Sequence, residues 1–531
     1  MPQPSALPSM SSDAVRDALR ARREIALIDA REEDPFAQAH PLFAAQLPIS
    51  RVERDAPWRL PRRDVPIVVY DDGEGIAERV ARCLVETGYS QVHRLDGDLD
   101  GWRESGGELF RDVNAPSKAF GELVEHELGT PSLSADEVKA LIDARADVVV
   151  LDARRLDEYR TMSIPTGISV PGAELALRVH DLAPDPATRV IVNCAGRTRS
   201  IIGAQSLVNA GIPNPVAALR NGTIGWKLAG LALAHGQDRR FPPAPVRGLA
   251  EARDAARSLA ERAGASRIGL DAVHAIDDRR RTVYRYDVRT PEEFEAGHLP
   301  GFRNAPGGQL VQETDVFAPV RGARVLLADD DGVRAPMTAH WLAQMGWDVA
   351  WIDGVARVSA ERTPSSLATD RSDGVVTVAP ASIDSARDVV VDFSASADFV
   401  RRHVPGAWWA LRSRLDEAVA RIEAARGRPD RWIVTADQEV DARHAVDDLR
   451  AATSVTVTVL QGGNAGWLSA GLPVEVGEGR LANARIDRYR RPYEGTDNPR
   501  EAMQAYLDWE YGLVDQLARD GTHGFRVLLP S

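Results

Sequence analysis

The 531-residue sequence holds only two cysteines, Cys83 and Cys194, and only three lysines, Lys118, Lys139 and Lys227. So few thiols exclude a disulfide-stapled framework and let each cysteine be judged on its own neighbours. The lysine shortage stands beside a large arginine complement, which a GC-rich genome favouring Arg codons explains, and no function follows from it. No run of about 18 apolar residues occurs, so no transmembrane helix is expected. The opening MPQPSALPSM lacks both a basic region and a long apolar stretch, so a cytoplasmic location is the default expectation. A net charge of −13 argues against general affinity for nucleic acid or an anionic membrane. Neither a metal nor an organic cofactor is expected.

What is present is ordinary in composition, 44% hydrophobic and 27% charged, but too long for one core. Self-similarity divides it. A Gly-Trp pair closes three segments, at Trp102, Trp226 and Trp467; the first two are 124 positions apart and the last two 241, close to twice that period. A degenerate copy, Trp351-Ile-Asp-Gly354, falls in the gap, so four repeats explain the spacing. Each repeat opens on an apolar run ending in Asp: Ala26-Leu-Ile-Asp29, Val148-Val-Val-Leu-Asp152, Tyr286-Asp287 and Val389-Val-Val-Asp392. A second apolar run recurs later, at Ile67–Tyr70, Val190–Asn193, Val325–Ala328 and Trp432–Thr435, each before a polar loop and an amphipathic helix. Short apolar runs bounded by turn residues and alternating with helices imply α/β units with a central parallel sheet. Linkers are expected near residues 112–132, 236–262 and 361–380, and the pattern stops after about residue 478. The tail then offers an amphipathic helix over Ala502–Tyr511, with Asn498 as its cap before Pro499, which is expected to pack against the array.

The strand ending in Asp-x-Arg, the turns Gly297-His-Leu-Pro-Gly301 and His403-Val-Pro-Gly406, the loop after the second strand and the closing Gly-Trp segment together resemble the rhodanese domain. The resemblance runs to about residue 478 and implies four tandem rhodanese-like domains, each a parallel sheet flanked by helices. They are expected over residues 1–125, 130–240, 255–370 and 376–478, with a C-terminal helical tail over 479–531. The second repeat carries the family's active loop, Cys194-Ala195-Gly196-Arg197-Thr198-Arg199. A cysteine between a buried strand and a helix N-terminus meets free backbone N–H groups that stabilise a thiolate. Gly196 lets those groups curl into an anion nest, and Arg197 and Arg199 add charge, with Arg199 favoured for binding a substrate anion. The implied activity is sulfur transfer from a small sulfur-containing anion, thiosulfate first, to a thiol or cyanide through a Cys194 persulfide.

Most other marked residues have a plainer reading. Cys83, in Val80-Ala-Arg-Cys-Leu-Val85, fits a buried helical position. Asp152 and Arg154 recur in repeats that lack the cysteine, and Trp226 recurs as well, so structure explains them better than chemistry. Asn193 and Ser200 suit strand ending and helix capping. At the cysteine position the other repeats have Asp71, Asp329, and Ala436 or Asp437, none able to carry sulfur, so those repeats are expected to be silent. Arg334 keeps the place of Arg199, either as a residual anion site or as a surface residue. Two rivals remain. A relay or scaffold would accept sulfur from a protein partner, with the silent repeats as docking units. A cysteine-dependent phosphatase is disfavoured because Arg199 lies five, not six, positions after Cys194 and no His precedes the cysteine. The loop also departs from the family's usual pattern: Ala195 stands where Arg is common, and the turn of this repeat reads Ser163-Ile-Pro-Thr-Gly167.

Overall fold

The runs of β-branched residues ending in Asp become central strands: Ile25–Asp29 and Asp388–Asp392 are buried at every position, as is Ile67–Tyr70. The computed structural model describes residues 7–242, 247–352, 375–495 and 497–529, and it holds four sheets. The second sheet runs Ser132–Leu133, Val216–Leu219, Arg189–Asn193, Val148–Asp152, Ile168–Ser169, all parallel. The third and fourth sheets repeat that order, with central strands Val283–Asp287 beside Arg324–Ala328 and Asp388–Asp392 beside Arg431–Thr435. The first sheet has the same order but gains a strand from the third repeat, Val320–Arg321, which pairs antiparallel with Ile25–Asp29. First and third repeats thereby share one apolar core, in which Phe120 meets Trp341 edge-on.

The recurring Asp-x-Arg is a buried clamp. Arg31, Arg154 and Arg289 each donate Nη2 to the Asp two residues before, at 2.6, 2.7 and 2.6 Å. The same nitrogen donates to the carbonyl eight residues on, of Ala39, Met162 or Gly297. The Asp is thus charge-paired and the return of the first helix is fixed, and breaking such a buried pair costs about 3–5 kcal/mol. The closing tryptophans are likewise structural: Trp102, Trp226 and Trp467 donate Nε1 to the carbonyls of Glu108, Ala232 and Pro473. The third Gly-Trp-like turn, at Asp353-Gly354, lies outside the described residues. The His of the His-x-Pro-Gly turns stacks on the aromatic residue four positions earlier, His298 on Phe294 and His403 on Phe399. His40 on Phe36 is a third instance that the sequence pattern did not reveal.

Two expected linkers are helices. Residues Ala115–Leu128 form a helix with Pro116 in its first turn and Gly129 as a left-handed cap, and Leu249–Arg262 form another. In the first of them Pro116 and Gly129 mark the start and stop of the helix. The third expected linker lies largely outside the described residues. The tail forms two helices, Arg500–Tyr511 and Leu513–Asp520. Pro499 is the cap residue of the first, and Asn498 instead donates to the carbonyls of Arg491 and Glu494, fixing the preceding turn. Among the described residues no helix is long and apolar enough to cross a membrane, and no His/Cys/Asp/Glu group is arranged to hold a metal.

Candidate active site

Cys194 directly follows the central strand Arg189–Asn193, and the helix Thr198–Asn209 begins four residues later. Strand and loop are locked together, because Asn193 donates Nδ2 to Asp152 Oδ2 at 2.8 Å, opposite it in register. The closing Gly-Trp segment braces the loop from the other side. Thr223 and Ile224 donate backbone N–H to the carbonyls of Cys194 and Ala195 at 2.9 and 3.0 Å. Gly222 makes this approach possible: its φ is +53°, and a Cβ there would overlap the carbonyl oxygen of Cys194. Only glycine meets both demands.

The Cys194 thiol is 2% exposed and donates to Ser200 Oγ at 3.5 Å, while that hydroxyl donates to the Arg197 carbonyl at 2.8 Å. Burial pushes the thiol above its usual range; the Arg199 charge and the Ser200 hydroxyl and amide pull it back, and Glu510 pushes it up further. Burial thus works against the thiolate that the helix N-terminus, the Gly196 turn and the arginines were expected to favour.

Arg199 is held 2.7 Å from Glu158 Oε2. Burial alone would raise the Glu158 carboxyl, but the facing guanidinium holds it below its usual value. Arg197 points elsewhere. Its guanidinium takes Glu122 at 2.7 Å, Glu125, and the Tyr511 hydroxyl at 2.8 Å, and it lies 4.0 Å from the centre of the Tyr511 ring. Its side chain therefore ties the loop to the helix Ala115–Leu128 and to the tail. Thr198 packs its methyl against Gly121 of that helix. Ala195 borders a cleft of about 390 Å³ whose far wall, Arg488, Arg491 and Tyr493, comes from the tail.

Ser200, read from the sequence as a capping residue, instead places its hydroxyl between Cys194 Sγ and the Arg197 carbonyl. Glu158, Tyr493, Tyr506 and Glu510 also join the candidate site, and the sequence pattern did not single them out. Glu158 left a signal. It precedes Arg199 by 41 positions, and Glu293, paired to Arg334 at 2.6 Å, precedes that arginine by the same 41. The tail residues left none, since nothing in the repeats says where the tail packs.

The equivalent loops show what replaces the thiol. Asp71 accepts the backbone N–H of Gly73 and Ala77 at 2.9 and 2.8 Å, and Asp329 accepts those of Gly332 and Ala335 at 3.0 and 2.7 Å. In both, the carboxyl group takes the place of Cys194 Sγ and meets the amide six residues on, as the thiol meets that of Ser200. Arg334 is neither a surface residue nor an available anion site: it is 1% exposed and pairs with Asp331, Glu174, Glu293 and Asp330. In the fourth repeat Ala436 directly follows the central strand Arg431–Thr435 and supplies no carboxylate.

Comparison with known proteins agrees with this architecture. The family described as the rhodanese-like domain matches residues 11–105, 134–229 and 272–355. A crystal structure of a thiosulfate sulfurtransferase from Pseudomonas aeruginosa is 59% identical, covering 98% of this chain and 100% of that one, with a TM-score of 0.95. The putative sulfur carrier protein YrkF of Bacillus subtilis (strain 168) is 24% identical over 152 residues, 25% of this chain and 79% of its own length. Over these matches and the four sheets, the chain belongs to the rhodanese-like family and is a rhodanese-type sulfurtransferase.

Proposed function

We propose that Cys194 carries the transferred sulfur, with thiosulfate as donor and cyanide or a thiol as acceptor. The observation that carries this reading is the pairing of one thiol with the Ser200 amide and the Arg199 charge at the end of the second sheet's central strand. As a thiolate, Cys194 Sγ attacks the outer sulfur of the donor. The donor S–S bond breaks, and its electron pair leaves on sulfite. The outer sulfur, now bonded to Sγ and anionic, is held by loop N–H groups from Ala195 to Arg199 and by the Arg199 charge. The acceptor attacks that sulfur, the Sγ–S bond breaks, and the thiolate returns as thiocyanate or an acceptor persulfide leaves. Thiosulfate is chosen because the Pseudomonas aeruginosa relative bears that substrate in its name and because a dianion suits a cationic loop. The Arg197 guanidinium is tethered to Glu122, so this residue serves through its backbone and through loop placement. The first, third and fourth repeats act as silent structural units, and the reaction runs in the cytoplasm, where thiols stay reduced.

A relay to a protein acceptor is the weaker reading, because the tail lies over the loop and leaves Cys194 2% exposed. The test is turnover of thiosulfate and cyanide beside an aryl phosphate. Thiocyanate production without phosphate release supports sulfur transfer. Phosphate release that depends on Cys194 would replace it with a phosphatase.

A further inference from the structure

The tail helix Arg500–Tyr511 sets two side chains directly on the active loop. A Cβ built on Gly196 would lie 3.1 Å from the Tyr506 ring and 3.3 Å from Glu510 Oε2, so helix and loop are in van der Waals contact there. Glu510 is wholly buried. Its Oε1 accepts the Tyr506 hydroxyl at 2.7 Å, and its Oε2, the atom facing the loop, has no hydrogen-bond partner among the described residues. A buried carboxylate with one donor is costly, and a neutral carboxylic acid in its place costs far less.

We propose that Glu510 is a positioning residue of the sulfur-transfer site, which keeps a proton against the Cys194 loop so that no negative charge opposes the anionic sulfur held there. The inference rests on Cys194 being the sulfur carrier.

The surroundings favour the neutral acid. From the helix Ala115–Leu128 come Glu122, Glu125 and Lys118; from the loop before it, Asp112; from the active loop, Arg197; from the tail, Tyr493 and Tyr506. The two cations are already claimed. Lys118 Nζ lies 3.0 Å from Asp112 and 5.1–5.5 Å from the ring centres of Tyr493, Tyr506 and Trp509, and Arg197 is paired with Glu122 and Glu125. Ionised Glu510 would be a fourth carboxylate against two cations. Burial first, then the charge of Glu122, pushes its carboxyl up to about 8. Near neutral pH it is a neutral group beside the loop. Above that value it becomes a negative charge within reach of Cys194, whose thiol it pushes upward. Glu510 keeps its proton throughout the cycle and exchanges none with donor or acceptor, so the sulfur-transfer steps balance without it.

The experiment is the pH dependence of Cys194 alkylation by iodoacetamide in the full chain, read peptide by peptide so that Cys83 is counted apart. In Glu510→Gln, isosteric with the neutral acid, the titration midpoint of Cys194 should fall by about one pH unit, the size of a like-charge effect at close range. Persulfide loading from thiosulfate at pH 9 should then be about tenfold faster than wild type and nearly equal at pH 6.5. Tyr506→Phe is the second variant. It removes a hydrogen bond that favours the ionised acid, so Glu510 stays neutral to higher pH and the alkaline loss of loading moves upward. Identical Cys194 midpoints in wild type and Glu510→Gln overturn the proposal, as does an unmoved alkaline limb in Tyr506→Phe. If no sulfur loads on Cys194 at any pH while the alkylation midpoint still shifts, the sulfur-carrier reading fails and the charge coupling stands.

Discussion

The loops that end the central strands of the second and third repeats share a backbone plan and differ in who fills the nest. In the third, the Asp329 carboxyl group accepts two loop N–H groups, and the equivalent arginine, Arg334, is held by four carboxylates. In the second, a neutral thiol occupies that place, and Arg199 faces one carboxylate, Glu158. The third loop has a carboxyl group built into that place and its cation saturated. The second holds a thiol in that place and leaves its arginine with one carboxylate partner. The two loops thus differ in the occupant of that place, a carboxyl group or a thiol, and in how many carboxylates hold the arginine.

Replacing Cys194 is the most damaging change to that contrast. Cys194→Ser should lower thiocyanate formation by about 10³-fold or more, whereas Cys83→Ser should stay within about twofold of wild type, in steady-state assays with thiosulfate and cyanide. Arg199→Ala removes the cation whose charge acts on Cys194 and should cost about 10²-fold in kcat/KM. Equal activity in that variant would mean that the backbone nest alone holds the sulfur. Placing a thiol in the third loop sharpens the comparison. A Cys194→Ser, Asp329→Cys double variant should stay below about 1% of wild-type turnover, because Arg334 remains saturated and 1% exposed. Recovery of substantial activity would mean that the missing thiol was the whole difference. The smallest effect belongs to the shared framework: Trp226→Phe, losing its hydrogen bond to the Ala232 carbonyl, should destabilise by about 1 kcal/mol in denaturant unfolding with kcat little changed.

The repeat architecture was legible because each sheet is built from short apolar runs that end in the same Asp, and the register puts that Asp beside the strand that carries the loop. Cys194 was legible for the same reason, standing one residue past such a strand. The helix Ala115–Leu128 falls in an expected linker because Pro116 and Gly129 mark its ends as readily as they would mark a break, and the helix Leu249–Arg262 falls in another. The role of Arg197 was hidden because its partners, Glu122 and Tyr511, lie 75 and 314 positions away. Tyr506 and Glu510 were hidden similarly, in a tail outside the repeat that gave no period to align. Local pattern reveals elements and the loop; long-range packing decides which charges are available to a substrate.

The central claim is that Cys194 alone is loaded with sulfur. Intact mass of the full chain after thiosulfate treatment tests it most directly. The prediction is a gain of one sulfur atom, mapped to the Cys194 peptide, removed by cyanide and missing in Cys194→Ser. No gain in mass in the wild type, or a gain that persists in Cys194→Ser, would contradict it.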